Sequence, residues 1–289
     1  MGLSRLTRVA AVAAAMMTAM GAMLVPTAQA DAAPVVDYVA MGDSFSSAAG
    51  VEPVVPGGKP CLRSARNYAH VLAEKNGYRL TDVSCGAATS ADFFTSQKAG
   101  VRPQLDALSR DTDLVTFSIG GNDGDVFASM VAKCALVGAF GAASGTPCGD
   151  LFAKDLIRQI RTRTYPNLVR AMRAVTQRAP HAKVFALNYL RLVPNRAVAC
   201  PGVPIARGDL KTAYRVQTEL SAAIERAAKR TGVTFVDVAA SSVGHEACTP
   251  RGVRYVEPAL GAAQSVGLHP NALGERHMAA VVDEAVGQL

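Results

Sequence analysis

The chain has 289 residues, 49% apolar, 18% charged and 6% aromatic, the balance of a globular protein with a sizeable core rather than of a disordered or fibrous one. Its 25 glycines and 15 prolines follow no period and no repeat occurs at solenoid or propeller spacing, which excludes collagen-like, repeat and low-complexity architectures. The formal charge of +7 is modest and its Lys and Arg are scattered along stretches such as 158–178 instead of forming dense runs interleaved with aromatics, so nucleic acid is not an expected partner.

Residues 1–30 read as a secretory signal. Arg5 and Arg8 open it, an uncharged stretch runs from Val9 to Val25, and Ala28-Gln29-Ala30 stands before Asp31 as an A-x-A cleavage site. Cleavage near Ala30 would export one domain, residues 31–289; an uncleaved membrane anchor is the alternative reading. Without Arg5 and Arg8 the balance is 28 basic against 23 acidic side chains, which leaves room for attraction to anionic surfaces. Past the signal no uninterrupted apolar run reaches the roughly 18 residues that a membrane span needs. The expected product is a freely secreted monomer with at most peripheral contact to a lipid surface.

Five apolar, β-branched runs follow: Val35 to Met41, Leu80 to Ser84, Leu114 to Ile119, Val184 to Asn188 and Val233 to Val238. Each is short and almost continuously hydrophobic, as strands buried on both faces are. Helical periodicity lies between and after them, over Ser64 to Asn76, Val101 to Ser109, Asp150 to Arg178 with an interruption at Pro166, Asp209 to Arg230, and Asn271 to Gly287. The stretch Val126 to Pro147 reads as a loop bearing Val126, Phe127, Met130, Val131, Leu136, Val137 and Phe140, an apolar set that fits core helix packing or an acyl-binding wall. Alternating strands and helices predict parallel strands with right-handed crossovers, hence a three-layer α/β/α sandwich with a central sheet of about five strands.

All six cysteines, Cys61, Cys85, Cys134, Cys148, Cys200 and Cys248, lie after the signal, and an even count in an exported chain reads as three disulfides. Of the 15 possible pairings, the nearest-neighbour one staples three loop regions without crossing elements and is the expectation. His245 and Cys248 form a lone H-x-x-C that lacks the second pair of a closed zinc site, so no metal is expected.

In open parallel sheets ligands bind at the carboxyl ends of the strands. Gly42-Asp43-Ser44-Phe45-Ser46 follows the first strand, Cys85-Gly86-Ala87-Ala88 the second and Gly120-Gly121-Asn122-Asp123 the third, while Gly267-Leu268-His269-Pro270 precedes the last helix. A serine hydroxyl needs a base to become a nucleophile, and the tetrahedral intermediate needs donors aimed at its oxyanion. Ser44, His269 and the Asn122 amide are the residue types that supply both.

In this order the blocks resemble those of the SGNH hydrolases, also called GDSL lipases and esterases, over essentially all of residues 35–289. The likeness is strongest to the secreted actinobacterial branch, which shares the three neighbouring disulfides and a stretch like Gly244-His245-Glu246-x-Cys248. The resemblance implies a flavodoxin-like sandwich, Ser44 as nucleophile and His269 as general base and acid. It also implies an oxyanion hole built from the Ser44 N–H, a backbone N–H of Gly86 or Ala87 and the Asn122 side chain.

Two positions depart from the family pattern. Ala87 stands where a glycine is usual, although a backbone N–H donates from either residue type. Val266 stands three residues before His269, where many members carry Asp; a backbone carbonyl of Val266 or Gly267 is expected to orient the imidazole instead, fixing its tautomer with less charge stabilisation, and a carboxylate from elsewhere in the sequence is the alternative. Asp43 and Asp123 read as turn residues, His70 and His277 as helix packing or surface groups, His181 as solvent-facing and His245 as structural. No phosphate-binding glycine loop is present. The expected activity is cofactor-independent hydrolysis of carboxylic esters, acyl lipids or small acyl esters. A phospholipase A, an acyltransferase using the same site and a non-catalytic binding protein are the alternatives.

Overall fold

The computed structural model describes residues 35–140 and 145–287. The expected signal and its cleavage site lie outside the described residues.

Five strands form one parallel sheet: β1 (Asp37–Gly42), β2 (Arg79–Asp82), β3 (Leu114–Ser118), β4 (Lys183–Leu187) and β5 (Thr234–Val236), in the order β2-β1-β3-β4-β5. The inner strands carry the core. Tyr38 to Met41, Leu114 to Phe117 and Phe185 to Leu187 are buried, which is why these runs lack the polar alternation of a one-sided sheet. The edge strand β2 alternates exposed and half-buried positions.

Among the described residues seven α-helices accompany the sheet: α1 (Ser44–Ser47), α2 (Tyr68–Asn76), α3 (Val126–Phe140), α4 (Pro147–Gln159), α5 (Tyr165–Arg178), α6 (Leu210–Thr231) and α7 (Ala272–Gly287). The chain steps from β1 to β2 in one direction and then from β3 through β5 in the other. Right-handed crossovers therefore put α2 on one face and α5 and α6 on the opposite one; α7 packs on α2 and α5 on α6, completing three layers. Among the described residues, no helix is long and apolar enough to cross a membrane.

Several boundaries differ from the sequence reading. The helix expected from Ser64 starts at Tyr68, because the Asn67 Oδ1 accepts the His70 N–H at 2.9 Å and caps it there. The segment Val101 to Ser109 forms only a 3₁₀ turn over Gln104–Ala107, entered through Pro103 and ended by extended backbone at Leu108. Pro166 does not break the long helical stretch. A π-helical turn over Ile160–Thr164 precedes α5 and widens the helix where the proline ring would meet the carbonyl four residues back. Most of Val126 to Pro147, read as a loop, is helix α3 and the start of α4.

The disulfides are Cys61–Cys85, Cys134–Cys148 and Cys200–Cys248, the expected neighbouring pairs. The second joins α3 to α4.

Candidate active site

The strand order reverses between β1 and β3, the switch point at which such sheets bind ligands. Gly42 and Ser118 are the last register pair there. Gly42 has φ of 114°, and a Cβ at that position would lie 2.4 Å from the Ser118 carbonyl oxygen, so only glycine brings the two strand ends this close. The chain then turns into α1, whose first residue is Ser44. Asp43 caps this short helix by accepting the Phe45 N–H at 3.0 Å. The Ser44 N–H heads α1 and so has no intrahelical acceptor.

His269 arrives from the far end of the chain on a loop tied to residues 255–257. Glu257 N–H donates to the His269 carbonyl at 3.0 Å, Leu268 N–H to the Glu257 carbonyl at 2.9 Å, and Asn271 N–H to the Tyr255 carbonyl at 2.9 Å. Burial pushes the Glu257 carboxyl up, but donors from Arg254, Asn271 and the Ala263 N–H together outweigh it and hold it below its ordinary value. Asn271 accepts the Leu273 and Gly274 N–H groups at 3.0 Å each, so α7 begins one residue later than the sequence pattern suggests and Pro270 lies outside it.

This loop sets His269 Nε2 2.8 Å from Ser44 Oγ, across 225 residues of sequence. Nδ1 lies 2.8 Å from the Gly267 carbonyl oxygen. The Val266 carbonyl accepts the His269 backbone N–H at 3.2 Å and the Ser265 hydroxyl at 3.1 Å, so of the two expected carbonyls it is Gly267's that faces the ring. Burial lowers the His269 pKa below its ordinary value, and the Gly267 carbonyl offsets this only in part.

Asn122 Nδ2 donates to the Ala88 carbonyl at 3.0 Å, which orients the amide and leaves its second hydrogen available toward the crevice. In the turn after β2, the Gly86 N–H donates to the Cys61 carbonyl at 2.8 Å and the Ala88 N–H to the Cys85 carbonyl at 3.1 Å. The Ala87 N–H has no acceptor among the described residues, and Ala87 adopts the left-handed φ of 64° that glycine usually takes.

Ser44, Asn122 and His269 line one cavity of about 240 Å³, walled by Phe127, Val131, Leu192 and Leu268. Helix α3 divides its apolar residues by turn: Val126, Met130 and Cys134 are buried, while Phe127 and Val131, one position further round, face the cavity. Core helix packing holds for Val126 and Met130, whereas Phe127 and Val131 line the cavity and Leu136 is exposed. No residue of 51–60 is among those lining the cavity. Two clefts of about 350 Å³ are larger, one beside Arg63 and Arg102 and one beside Lys211 and Tyr214, but neither holds a hydroxyl–imidazole pair.

Asp43 and Asp123 are more than turn residues. The second carboxylate oxygen of Asp43 accepts the Tyr189 hydroxyl at 2.5 Å, and burial, opposed by that bond and by the Phe45 N–H, pushes this carboxyl up to about 7. Asp123 accepts the Ser90 N–H and hydroxyl, joining the third block to the residues after the second. His245 stacks on Tyr255 with ring centroids 3.9 Å apart and is remote from the cavity lining. Tyr189 is absent from the sequence reading although it follows β4 at the same carboxyl edge, a position that edge reasoning extended to the fourth strand would have reached.

Ser44 and His269 thus stand in hydrogen-bond contact at the switch point of a parallel α/β/α sheet. Residues 40–277 match the model of the GDSL-like lipase/acylhydrolase family. The chain is 46% identical to lipase 2 of Streptomyces coelicolor over 264 residues, 90% of this chain and 89% of that one, and 30% identical to a lipase of Streptomyces rimosus, covering 85% and 87%. Among solved structures it is similar to the extracellular lipase from Streptomyces rimosus (TM-score 0.74, 26% identity, 87% of this chain and all of that one). Phospholipase A1 from Streptomyces albidoflavus NA297 shares the fold (TM-score 0.72, 24% identity, 87% and 99%). The protein belongs to the GDSL-like lipase/acylhydrolase family. It is a carboxylic ester hydrolase.

Proposed function

We propose that the protein is a secreted serine esterase or lipase that cleaves acyl lipids or small acyl esters through an acyl-enzyme on Ser44. The 2.8 Å contact between His269 Nε2 and Ser44 Oγ carries this reading. In it, His269 takes the hydroxyl proton as Ser44 Oγ attacks the ester carbonyl carbon. The oxyanion accepts from the Ser44 N–H, the Ala87 N–H and Asn122 Nδ2. Collapse expels the alcohol, which receives the proton from His269; a water deprotonated by the same imidazole then hydrolyses the acyl-serine. The Gly267 carbonyl keeps the proton of the neutral ring on Nδ1, so that Nε2 is the basic nitrogen. None of these steps asks for a cofactor.

The apolar wall of Phe127, Val131, Leu192 and Leu268 supports an acyl chain as the group bound beside Ser44. The similarity to Streptomyces lipases supports the same substrate class, and the basic start and A-x-A sequence before Asp31 support export. The test is hydrolysis of p-nitrophenyl esters from acetate to palmitate by wild type, Ser44→Ala and His269→Ala. Wild-type turnover with a loss of roughly a thousandfold or more in both variants is expected, as for members of one catalytic unit. Retained activity in Ser44→Ala would overturn the assignment.

A further inference from the structure

We infer that Tyr189 is a positioning residue that sets the separation of Ser44 and Asn122 by bridging the turns that carry them. The inference rests on the proposed roles of those two residues.

Tyr189 is 1% exposed and follows β4, next to β3 in the sheet. Its hydroxyl donates to Asp43 Oδ2 at 2.5 Å and accepts the Gly121 N–H at 2.8 Å. Asp43 immediately precedes Ser44, and Gly121 immediately precedes Asn122. One hydroxyl therefore joins the residue before the nucleophile to the residue before the amide donor, and it uses its single hydrogen and one lone pair to do so. The ring is held against rotation by edge-to-face contacts with Phe45 and Phe127, each with centroids 4.9 Å apart. A Cβ at residue 121 would lie 2.6 Å from the Phe127 ring and 3.1 Å from Tyr189 Cζ, so the glycine lets its N–H approach the hydroxyl. Asp43 spends its other oxygen on the Phe45 N–H, which fixes the start of α1. Oxyanion donors stabilise a transition state only when they are aimed in advance, and displacement by a fraction of an ångström is costly.

Tyr189→Phe tests this, because it keeps the ring and its packing and removes only the bridge. Steady-state kinetics on p-nitrophenyl butyrate, well below the measured Tm of each variant, should show kcat reduced tenfold or more with KM changed less than twofold. Affinity for a boronic acid that forms a tetrahedral adduct should fall in parallel with kcat. A lowered Tm with unchanged kcat and boronate affinity would overturn the inference and leave Tyr189 a packing residue. Asp43→Asn supplies a second measurement should the first variant fold poorly. Its single amide oxygen can accept either the Phe45 N–H or the Tyr189 hydroxyl but not both, so the bridge and the α1 cap cannot both persist as built, and a like fall in kcat is expected. The double variant should lose no more than the worse single one, whereas additive losses would show that the two side chains do not act as one unit. Ser44→Ala, assayed alongside, separates the two claims: activity surviving there sinks the proposed function itself, while an inactive Ser44→Ala with a fully active Tyr189→Phe sinks only the bridge.

Discussion

His269 Nδ1 lies 2.8 Å from the carbonyl oxygen of Gly267, two residues back along the same loop. A neutral acceptor orients the ring and chooses its tautomer as a carboxylate would, but it contributes much less to holding a positive charge on the imidazole.

The consequence is a pH profile displaced to the acidic side. Burial disfavours the imidazolium and lowers the His269 pKa from an ordinary value of 6.5, and among the described residues no carboxylate restores it. The base is active when neutral, so kcat/KM should rise with pH through a midpoint below 6.5 and stay high above it. A midpoint above that value would show that a negative group supports the ring. Asp43, pushed up to about 7, titrates beside Ser44, and the limb that persists in Asp43→Asn isolates the histidine.

Asn122 donates one amide hydrogen to the Ala88 carbonyl and keeps the other for the crevice. Asn122→Ala should reduce kcat by about 10²- to 10³-fold, the usual cost of losing one oxyanion donor, with little change in KM. An equal rise in KM with kcat intact would instead make Asn122 a substrate-binding group.

Phe127 lines the cavity beside Ser44 and packs edge-to-face on Tyr189. Phe127→Ala should enlarge the cavity along α3 and raise the kcat/KM ratio for octanoate over butyrate by about tenfold, the scale expected for one or two extra accommodated methylenes. An unchanged ratio in a folded variant would place the acyl chain elsewhere.

Glu275 on α7 is buried, accepts the Tyr68 N–H through one oxygen at 2.7 Å and leaves the other without a partner. Burial raises its pKa well above 4.5, so the folded state prefers the protonated acid. Its contribution to stability is complete at low pH and is lost as pH rises through the raised value. The Tm difference between Glu275→Gln and wild type should therefore shift in favour of the variant as pH is raised from about 4.5. A difference independent of pH would show that Glu275 does not change protonation on unfolding.

Alternating buried strands and amphipathic helices determine the parallel sandwich from sequence alone, because a strand covered on both faces must be apolar along its whole length. The same pattern identifies the strand ends, and with them Ser44 and Asn122, while the resemblance to the SGNH hydrolases implies an N–H donor at Gly86 or Ala87. Periodicity reports how a segment is buried about its own axis and says nothing of which neighbour it meets. The tertiary structure decided that the Gly86 N–H is taken by Cys61 while that of Ala87 is left, and that Gly267 rather than Val266 faces the imidazole. It also decided that α3 serves both core and cavity, and that Tyr189 lies between Asp43 and Gly121. Apart from the Gly267–His269 contact within one loop, these join segments up to 146 residues apart. Their geometry depends on strand order and register, which fix where each hydrogen-bonding group ends up in space.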